Sequence, residues 1–163
     1  MDPTWEKPYY YLGKYFNRLL DLTKATATST TNLRDLCGSN EKHVVQFYLK
    51  AIYCGPKYLL EALPKLVTVW LDFAESFSEI PSDISDSRKV GILSERKRNL
   101  EAIHSEIQKI GERLPTHYWY TVYSQLLSRI LHKHKTAGQL ILRFVSTIVQ
   151  QYPSHGLWSI FAQ

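Results

Sequence analysis

The sequence predicts an all-α fold, an α-solenoid of TPR/HEAT-like antiparallel helical hairpins. Apolar residues recur at three- and four-residue spacing along most of the chain, which is the periodicity of amphipathic helices. The 7 Gly and 7 Pro among 163 residues are too few for the regular turns of an all-β sandwich. Helix, short turn and helix recur in units of roughly 35 to 45 residues, the size of TPR and HEAT units.

Composition indicates one folded unit, a single helical-repeat segment over residues 1–163. With 44% hydrophobic and 13% aromatic residues, the chain can bury a sizeable core and is not disordered as a whole. The net charge of +5 comes from 20 basic and 15 acidic residues, so charge alone identifies no partner. The N-terminus lacks the apolar core of a signal peptide, and charged residues interrupt the most apolar tracts. We therefore expect a soluble intracellular chain with no membrane partner.

The first third of the chain predicts two helices. Apolar residues from Tyr11 onward are spaced as on one helical face, so the first helix is expected to stop near Leu22. Residues 24–40 follow, and their Thr and Ser hydroxyls compete for backbone hydrogen bonds, which favours a flexible loop. The helical spacing returns from Glu41 and ends at Gly55, which is followed by proline.

A third helix is predicted from Lys57 to Phe77, with Trp70 as its largest apolar side chain. The helical pattern runs across Pro64. Because proline lacks a backbone donor and clashes with the preceding turn, we expect a kink or a fresh helix start there. Residues 76–92 are rich in Ser and Asp and predict a second flexible loop.

The last part of the chain predicts one exposed helix and two strongly amphipathic ones. Residues 94–114 carry a narrow apolar seam, so that helix should be mostly exposed. The two amphipathic stripes run from Trp119 to Leu131 and from Leu140 to Tyr152, and residues 133–138 are short enough to join them as an antiparallel hairpin. A further helix is expected after Pro153. The chain stops inside its apolar pattern, so we expect a natural continuation.

The sequence offers no residue combination suited to catalysis, cofactor binding or metal binding. The glycines are scattered singly, whereas a phosphate-binding loop needs them clustered. His132 and His134 are two residues apart, which on a helix directs them away from a shared metal. Cys37 and Cys54 are expected to be buried reduced thiols. We therefore expect no catalytic residue, no cofactor, no metal and no small-molecule substrate.

The densest basic run is Arg96-Lys97-Arg98. Runs of this kind contact phosphate or act as localisation signals. Acidic residues interrupt this one, and pairs of Glu with Lys or Arg at helical spacing explain it as a solvated helix face. We therefore expect no direct contact with nucleic acid.

Three stretches, in order, resemble one known family. The run from Tyr58 to Phe73, with Leu-Pro-Lys followed by Trp-Leu-Asp-Phe, is similar to a segment of the FAT domain in PI3-kinase-related protein kinases. The run from Trp119 to His132, with Ser-Gln-Leu-Leu-Ser-Arg-Ile-Leu-His, resembles a helix of that domain. The run from Tyr152 to Trp158 resembles its Tyr-Pro corner, although two residues replace the usual paired glutamines. The ATR-type DNA-damage checkpoint branch is the most similar, over roughly residues 44–163.

The resemblance implies a non-catalytic scaffold segment of a larger nuclear serine/threonine kinase. Its expected partners are the adjacent helical repeats and the kinase domain of the parent protein, whose ATP site and catalytic loop would lie downstream of Gln163. A homodimer through the parent is also implied. The alternative is a stand-alone helical-repeat adaptor that binds another protein. A packing role is expected for Pro64, Trp70, Phe73, Trp119, Leu126, Ile130, Tyr152, Pro153 and Trp158.

Overall fold

The computed structural model describes residues 5–25, 36–80, 84–154 and 156, and it contains no strand within them. This confirms the all-α prediction. The helices are α1 (Glu6–Ala25), α2 (Ser39–Cys54), α3 (Leu59–Ser76), α4 (Asp86–Gly111), α5 (Thr116–Tyr120), α6 (Tyr123–Ser128) and α7 (Lys135–Gln151). In these ranges, none of the helices combines the length and the apolar character needed to span a bilayer.

Neighbouring helices pack on one another along the chain around a continuous hydrophobic core. Helix α2 contacts α1, α3 and α4, and α7 contacts α4, α5 and α6. The buried face of α2 includes the apolar residues that its helical spacing predicts. The core extends from Tyr10 in α1 to Ile148 in α7. The arrangement therefore buries each amphipathic face against adjacent helices, as in a helical solenoid.

Helix α1 buries only part of the face that the sequence predicts: Leu20 is buried and Phe16 packs against the core, but the buried face is rotated toward Tyr10. Tyr11 and Tyr15 are exposed, the latter by 62%, whereas Tyr10 and Gly13 are buried. A Cβ at Gly13 would lie 2.5 Å from Cδ1 of Tyr48, so the missing side chain lets α1 approach α2 closely. This close approach turns Tyr10 inward. The helix also continues to Ala25, into the loop expected over residues 24–40.

Helix α3 runs without a break through Pro64, so the expected fresh helix start is wrong. Proline in a helix leaves the carbonyl four residues earlier without its usual donor. That residue is Leu60, which is 73% exposed. The carbonyl of Pro64 itself accepts a hydrogen bond from the hydroxyl of Thr68 at 2.9 Å.

Two further boundaries differ from the sequence-based expectation. Helix α4 begins at Asp86, inside the loop expected over residues 76–92. The helix expected from Trp119 to Leu131 is instead two short helices, α5 and α6, separated by a turn. In that turn the N–H of Thr121 bonds to the carbonyl of Tyr118 three residues earlier, which tightens the backbone and ends α5. Leu131 lies beyond α6 and is 93% exposed.

Residues 26–35 and the segment from 157 onward lie outside the described residues.

Candidate functional site

A buried arginine joins three segments of the chain. The guanidinium of Arg96, on α4, donates hydrogen bonds to the carbonyls of Phe77 at 2.7 Å, Ser76 at 2.8 Å and Leu36 at 2.9 Å. Its Cζ also lies 5.0 Å from the centre of the Phe73 ring. Burial lowers the pKa of this guanidinium, but three charge-assisted hydrogen bonds and a cation–π contact compensate for lost water. We call this group of residues the Arg96 clamp.

The clamp satisfies backbone groups that a helix end leaves unpaired. The last carbonyls of α3 have no partner within the helix, and the negative end of the helix dipole lies there. Arginine provides a planar fork of donors, which can reach several such carbonyls at once. Next to it, the amide of Asn99 donates to the carbonyl of Cys37 at 2.9 Å. The adjacent Gly38 has φ of 77°, a left-handed conformation that favours glycine.

A second junction joins α3 to the segment after α6 through charged side chains. Arg129 pairs with Asp72 at 3.2 Å and with Glu75 at 3.1 Å. Lys133 pairs with the other oxygen of Glu75 at 3.2 Å and, with Arg129, holds the pKa of that carboxyl below its usual value. All of these groups are solvent-exposed to a substantial degree, so they orient the two segments more than they stabilise them.

The side-chain amide of Gln125, on α6, also donates hydrogen bonds to residues of α3. It donates to the carbonyl of Pro64 at 3.2 Å and to the hydroxyl of Thr68 at 2.9 Å. The carbonyl of Pro64 thus has two donors, Gln125 and Thr68. A proline within α3 therefore lies at a contact between two helices.

Three histidines, His104, His132 and His134, lie close together, and His104 contacts Trp70. His104 is 7% exposed and lies edge-to-face against Trp70, with ring centres 6.1 Å apart. Burial lowers its pKa to about 4, and the nearby His134 and His132 add to this effect. His104 is therefore neutral at pH 7 and acts as a packing group rather than a charge.

His132 has one defined tautomer. Its Nδ1 accepts the backbone N–H of His134 at 3.1 Å, so its Nε2 carries the proton and faces the carbonyl of Leu71 at 3.0 Å. His132 and His134 are therefore linked by a hydrogen bond from the backbone N–H of His134 to the ring of His132. Among the residues that the structure describes, no group of three or more His, Cys, Asp and Glu could hold a metal ion.

The residues with an expected packing role lie in different environments. Trp70, Phe73, Trp119 and Leu126 are buried, and Pro64 and Ile130 are half-buried. Trp119 also stacks on Phe144, with ring centres 4.0 Å apart, and its indole N–H donates to the carbonyl of Gly111 at 3.1 Å. These bonds hold α5 against both α4 and α7.

The expected Tyr-Pro corner is placed differently from the other packing residues. Tyr152 is 36% exposed and Pro153 is exposed, and both lie just after the end of α7 at Gln151. Trp158 lies outside the described residues. The buried tyrosine near this end is Tyr123, whose hydroxyl donates to the carbonyl of Gly156 at 3.0 Å.

Sequence reasoning missed Arg96 and Asn99 because it assigned the basic run to a solvated face. The signal was nevertheless present in the spacing. Ile92, Arg96 and Leu100 follow one another at four-residue steps and continue the apolar seam of α4 toward its N-terminus. An arginine at a seam position of a helix is therefore a candidate donor to carbonyls of the elements packed against that seam.

Comparison with known proteins gives a consistent set of relatives. Residues 102–163 match the family described as "Serine/threonine-protein kinase ATR-like, HEAT repeats". Serine/threonine-protein kinase MEC1 of Eremothecium gossypii is 36% identical over 160 residues, 98% of this chain and 6% of that protein. MEC1 of Candida albicans is 32% identical over 96% of this chain and 6% of that protein. Serine/threonine-protein kinase ATR of Arabidopsis thaliana is 29% identical over 97% of this chain, again 6% of that protein.

The relatives are far longer than this chain, which spans about 6% of their length. The matched description names HEAT repeats, so the narrower position in the FAT domain that the motifs suggested is not confirmed. No solved structure matches the chain.

Proposed function

Since the chain is homologous to the HEAT-repeat region of ATR-like serine/threonine-protein kinases, we propose that it is a non-catalytic scaffold segment of such a kinase. It packs on neighbouring helical repeats and on the kinase domain of the parent protein, and it passes conformational bias to that domain. The parent kinase acts in the DNA damage response in the nucleus. The sequence motifs that resemble the checkpoint branch of the family support this proposal.

The observation that carries the proposal is the Arg96 clamp. A buried charged side chain is costly unless it is fully hydrogen-bonded, and here it is used to fix the end of α3 against α4 and the segment before α2. The hydrogen bonds of one buried cation to several segments fix the position of the helices relative to one another. That is the property a scaffold needs to transmit a movement from one end to the other.

The mechanism of the proposed segment is mechanical. Helices that share a close-packed core move as a unit, because interiors deform little. A shift at the face carrying α1 therefore reaches α7 through the continuous core between them. In the parent kinase such a shift would change how the scaffold rests on the kinase domain.

The most direct test is to sequence the transcript that encodes this chain. We expect the reading frame to continue beyond Gln163 into a protein kinase domain. A stop codon with no kinase frame after it would contradict the proposal and favour the stand-alone adaptor.

A second test uses the parent protein. Arg96→Met in the full-length kinase should lower phosphorylation of a peptide substrate while leaving the KM for ATP unchanged, because the proposed scaffold segment supplies no group to the ATP site. Arg98→Met, which removes only an exposed ion pair with Glu95, is the matched control. Equal activity of both variants and the parent protein would contradict a role in regulating the kinase.

A further inference from the structure

An open groove lies between α1 and α3. It has a volume of about 450 Å³ and is deep enough to hold side chains from another molecule. We call it the α1–α3 groove. The residues that matter for its chemistry are Tyr10, Lys14, Arg18, Tyr48, Leu60 and Lys65.

The floor of the groove is aromatic and fixed. Tyr10 and Tyr48 are buried, and the Tyr10 ring stacks on Tyr58 with centres 4.1 Å apart and planes 7° apart. The Tyr10 hydroxyl donates to the carboxylate of Glu61. Burial raises the pKa of Tyr48 to about 12, and burial together with Glu61 raises that of Tyr10. Both rings are therefore neutral, and the floor is preformed rather than dependent on a ligand.

The walls of the groove carry an apolar side chain and three cations, of which Lys14 lies 5.8 Å from the centre of the Tyr10 ring. Leu60, on α3, points away from the core and is the most exposed leucine of that helix. Lys14 and Arg18 on α1, and Lys65 on α3, are exposed. Among the ion pairs of the described residues, none involves these three cations.

The acidic residues of the groove are already engaged. Asp21 accepts a hydrogen bond from the amide of Asn17 at 3.4 Å, and Glu61 accepts one from Tyr10. The groove is thus lined by three cations and two carboxylates. Each carboxylate already accepts a hydrogen bond from a donor within the chain. The surface presents net positive charge around an apolar floor.

We propose that the α1–α3 groove binds an acidic amphipathic helix from a separate protein. Apolar side chains of that helix pack against Leu60, and its carboxylates pair with Lys14, Arg18 and Lys65. Helix-in-groove recognition of this kind uses apolar anchors at i, i+3 or i+4, and i+7. Opposite charges at the rim set the choice of partner and the rate of encounter.

The composition of the groove distinguishes this partner from another helix of the solenoid core. The junctions between α2 and its neighbours are lined by apolar residues such as Val44, Leu49 and Leu66. A similar apolar helix placed over the groove would bury three cations that are in no ion pair, which is strongly unfavourable. A nucleic acid is a poorer fit, because the aromatic rings are buried and leave no stacking platform.

The test measures fluorescence anisotropy of a labelled synthetic helical peptide of about 18 residues, with Leu at i, i+4 and i+7 and Glu on both flanks. The 163-residue chain is titrated into it. We expect saturable binding that weakens when salt rises from about 50 to about 500 mM. The same peptide with every Glu changed to Lys should not bind. If both peptides bind alike, or the acidic peptide does not saturate, the proposal fails.

Variants locate the binding site. Lys14→Glu combined with Arg18→Glu should weaken binding about tenfold or more, and Lys65→Gln should weaken it by a smaller factor. Leu60→Ala should weaken binding without changing its salt dependence. Lys109→Glu, on the exposed side of α4, is the matched control and should bind as the original chain does. Equal loss in the control, or no loss in Lys65→Gln and Leu60→Ala, would overturn the proposal.

Two competitors separate the proposed partner from other anionic ones. A single-stranded oligonucleotide with as many negative charges as the peptide, and vesicles containing phosphatidylserine, should displace the peptide only weakly. Displacement by either one as effectively as by unlabelled peptide would overturn the choice of a protein helix. The inference goes beyond the proposed scaffold function and does not depend on it, since the transcript and kinase experiments do not involve this groove.

Discussion

At the scale of single residues, the Arg96 side chain satisfies carbonyls from three separate positions in the sequence, at Leu36, Ser76 and Phe77. No other residue type can replace it, because lysine offers a single charged atom in place of a planar fork. A basic side chain within a run of basic residues is thus a structural element of the core.

Replacing Arg96 by methionine should lower the free energy of unfolding by roughly 3 kcal/mol, since three half-buried carbonyls lose their charged donor. Arg98→Met should cost less than about 1 kcal/mol, because its ion pair with Glu95 is exposed. Urea unfolding followed by circular dichroism measures both. Similar losses for the two variants would show that the clamp contributes no more than a surface pair.

The pH dependence of stability should report on His104. Burial lowers its pKa to about 4, whereas an unfolded histidine titrates near about 6.5. Between these values the unfolded chain binds the additional proton, so the free energy of unfolding falls as the pH drops from about 6.5 toward about 4. The full contribution, present above about 6.5, is at most roughly 3 kcal/mol.

Urea unfolding of the original chain and of His104→Phe between pH 4 and pH 8 tests this expectation. The variant keeps an aromatic ring against Trp70 but cannot titrate, so its stability should fall less in acid. His117→Phe, at an exposed histidine, should keep the original slope. A His104→Phe profile that matches the original chain would contradict the assignment.

At the scale of helices, the spacing of apolar residues alone predicted α2, α3 and α7 well, because each has a single apolar face. It failed for α1, where aromatic residues occur on two adjacent faces and a glycine decides which one is buried. It also failed at Thr121, where a turn interrupts an apolar stripe that continues on both sides. Neither a glycine contact nor a turn inside a stripe can be read from spacing, since both depend on the helix packed opposite.

The glycines of two helices should respond in opposite ways to alanine. Gly13→Ala places a Cβ 2.5 Å from the Tyr48 ring and should cost about 1–3 kcal/mol by overpacking. Gly91→Ala, within α4 and with no atom within 4 Å of the new Cβ, should stabilise by about 0.5–1 kcal/mol through helix propensity. Thermal unfolding measures both. Stabilisation by Gly13→Ala would show that α1 does not need its close approach to α2.

The Arg96 clamp shows how far the sequence predicted the candidate site. The neighbouring carbonyls belong to residue 36, which was expected in a loop, and to residues 76 and 77, where the predicted third helix and second loop overlap. Which loop carbonyls meet on one guanidinium depends on how three helices converge. The seam position of Arg96 was readable from the sequence, but its partners were not.

At the scale of the whole molecule, one core connects all parts of the described chain from α1 to α7. We therefore expect a single cooperative unfolding transition. Trp70 lies in α3 and Trp119 in α5, so each reports on a different part of that core. In Trp119→Phe and Trp70→Phe, each made in a chain that also carries Trp5→Phe and Trp158→Phe, the fluorescence and circular dichroism midpoints should coincide within each variant. Separate transitions for the two probes would indicate units that unfold independently.

The sequence separation within the clamp has a consequence for kinetics. Arg96 and Leu36 are 60 residues apart, so their contact closes a long loop, and the entropy of that closure is lost before the bond forms. We therefore expect the contact to form after the rate-limiting step of folding. In stopped-flow measurements, removing the guanidinium should accelerate unfolding and leave the refolding rate nearly unchanged. The side chain then governs the lifetime of the native state rather than the speed with which the chain reaches it.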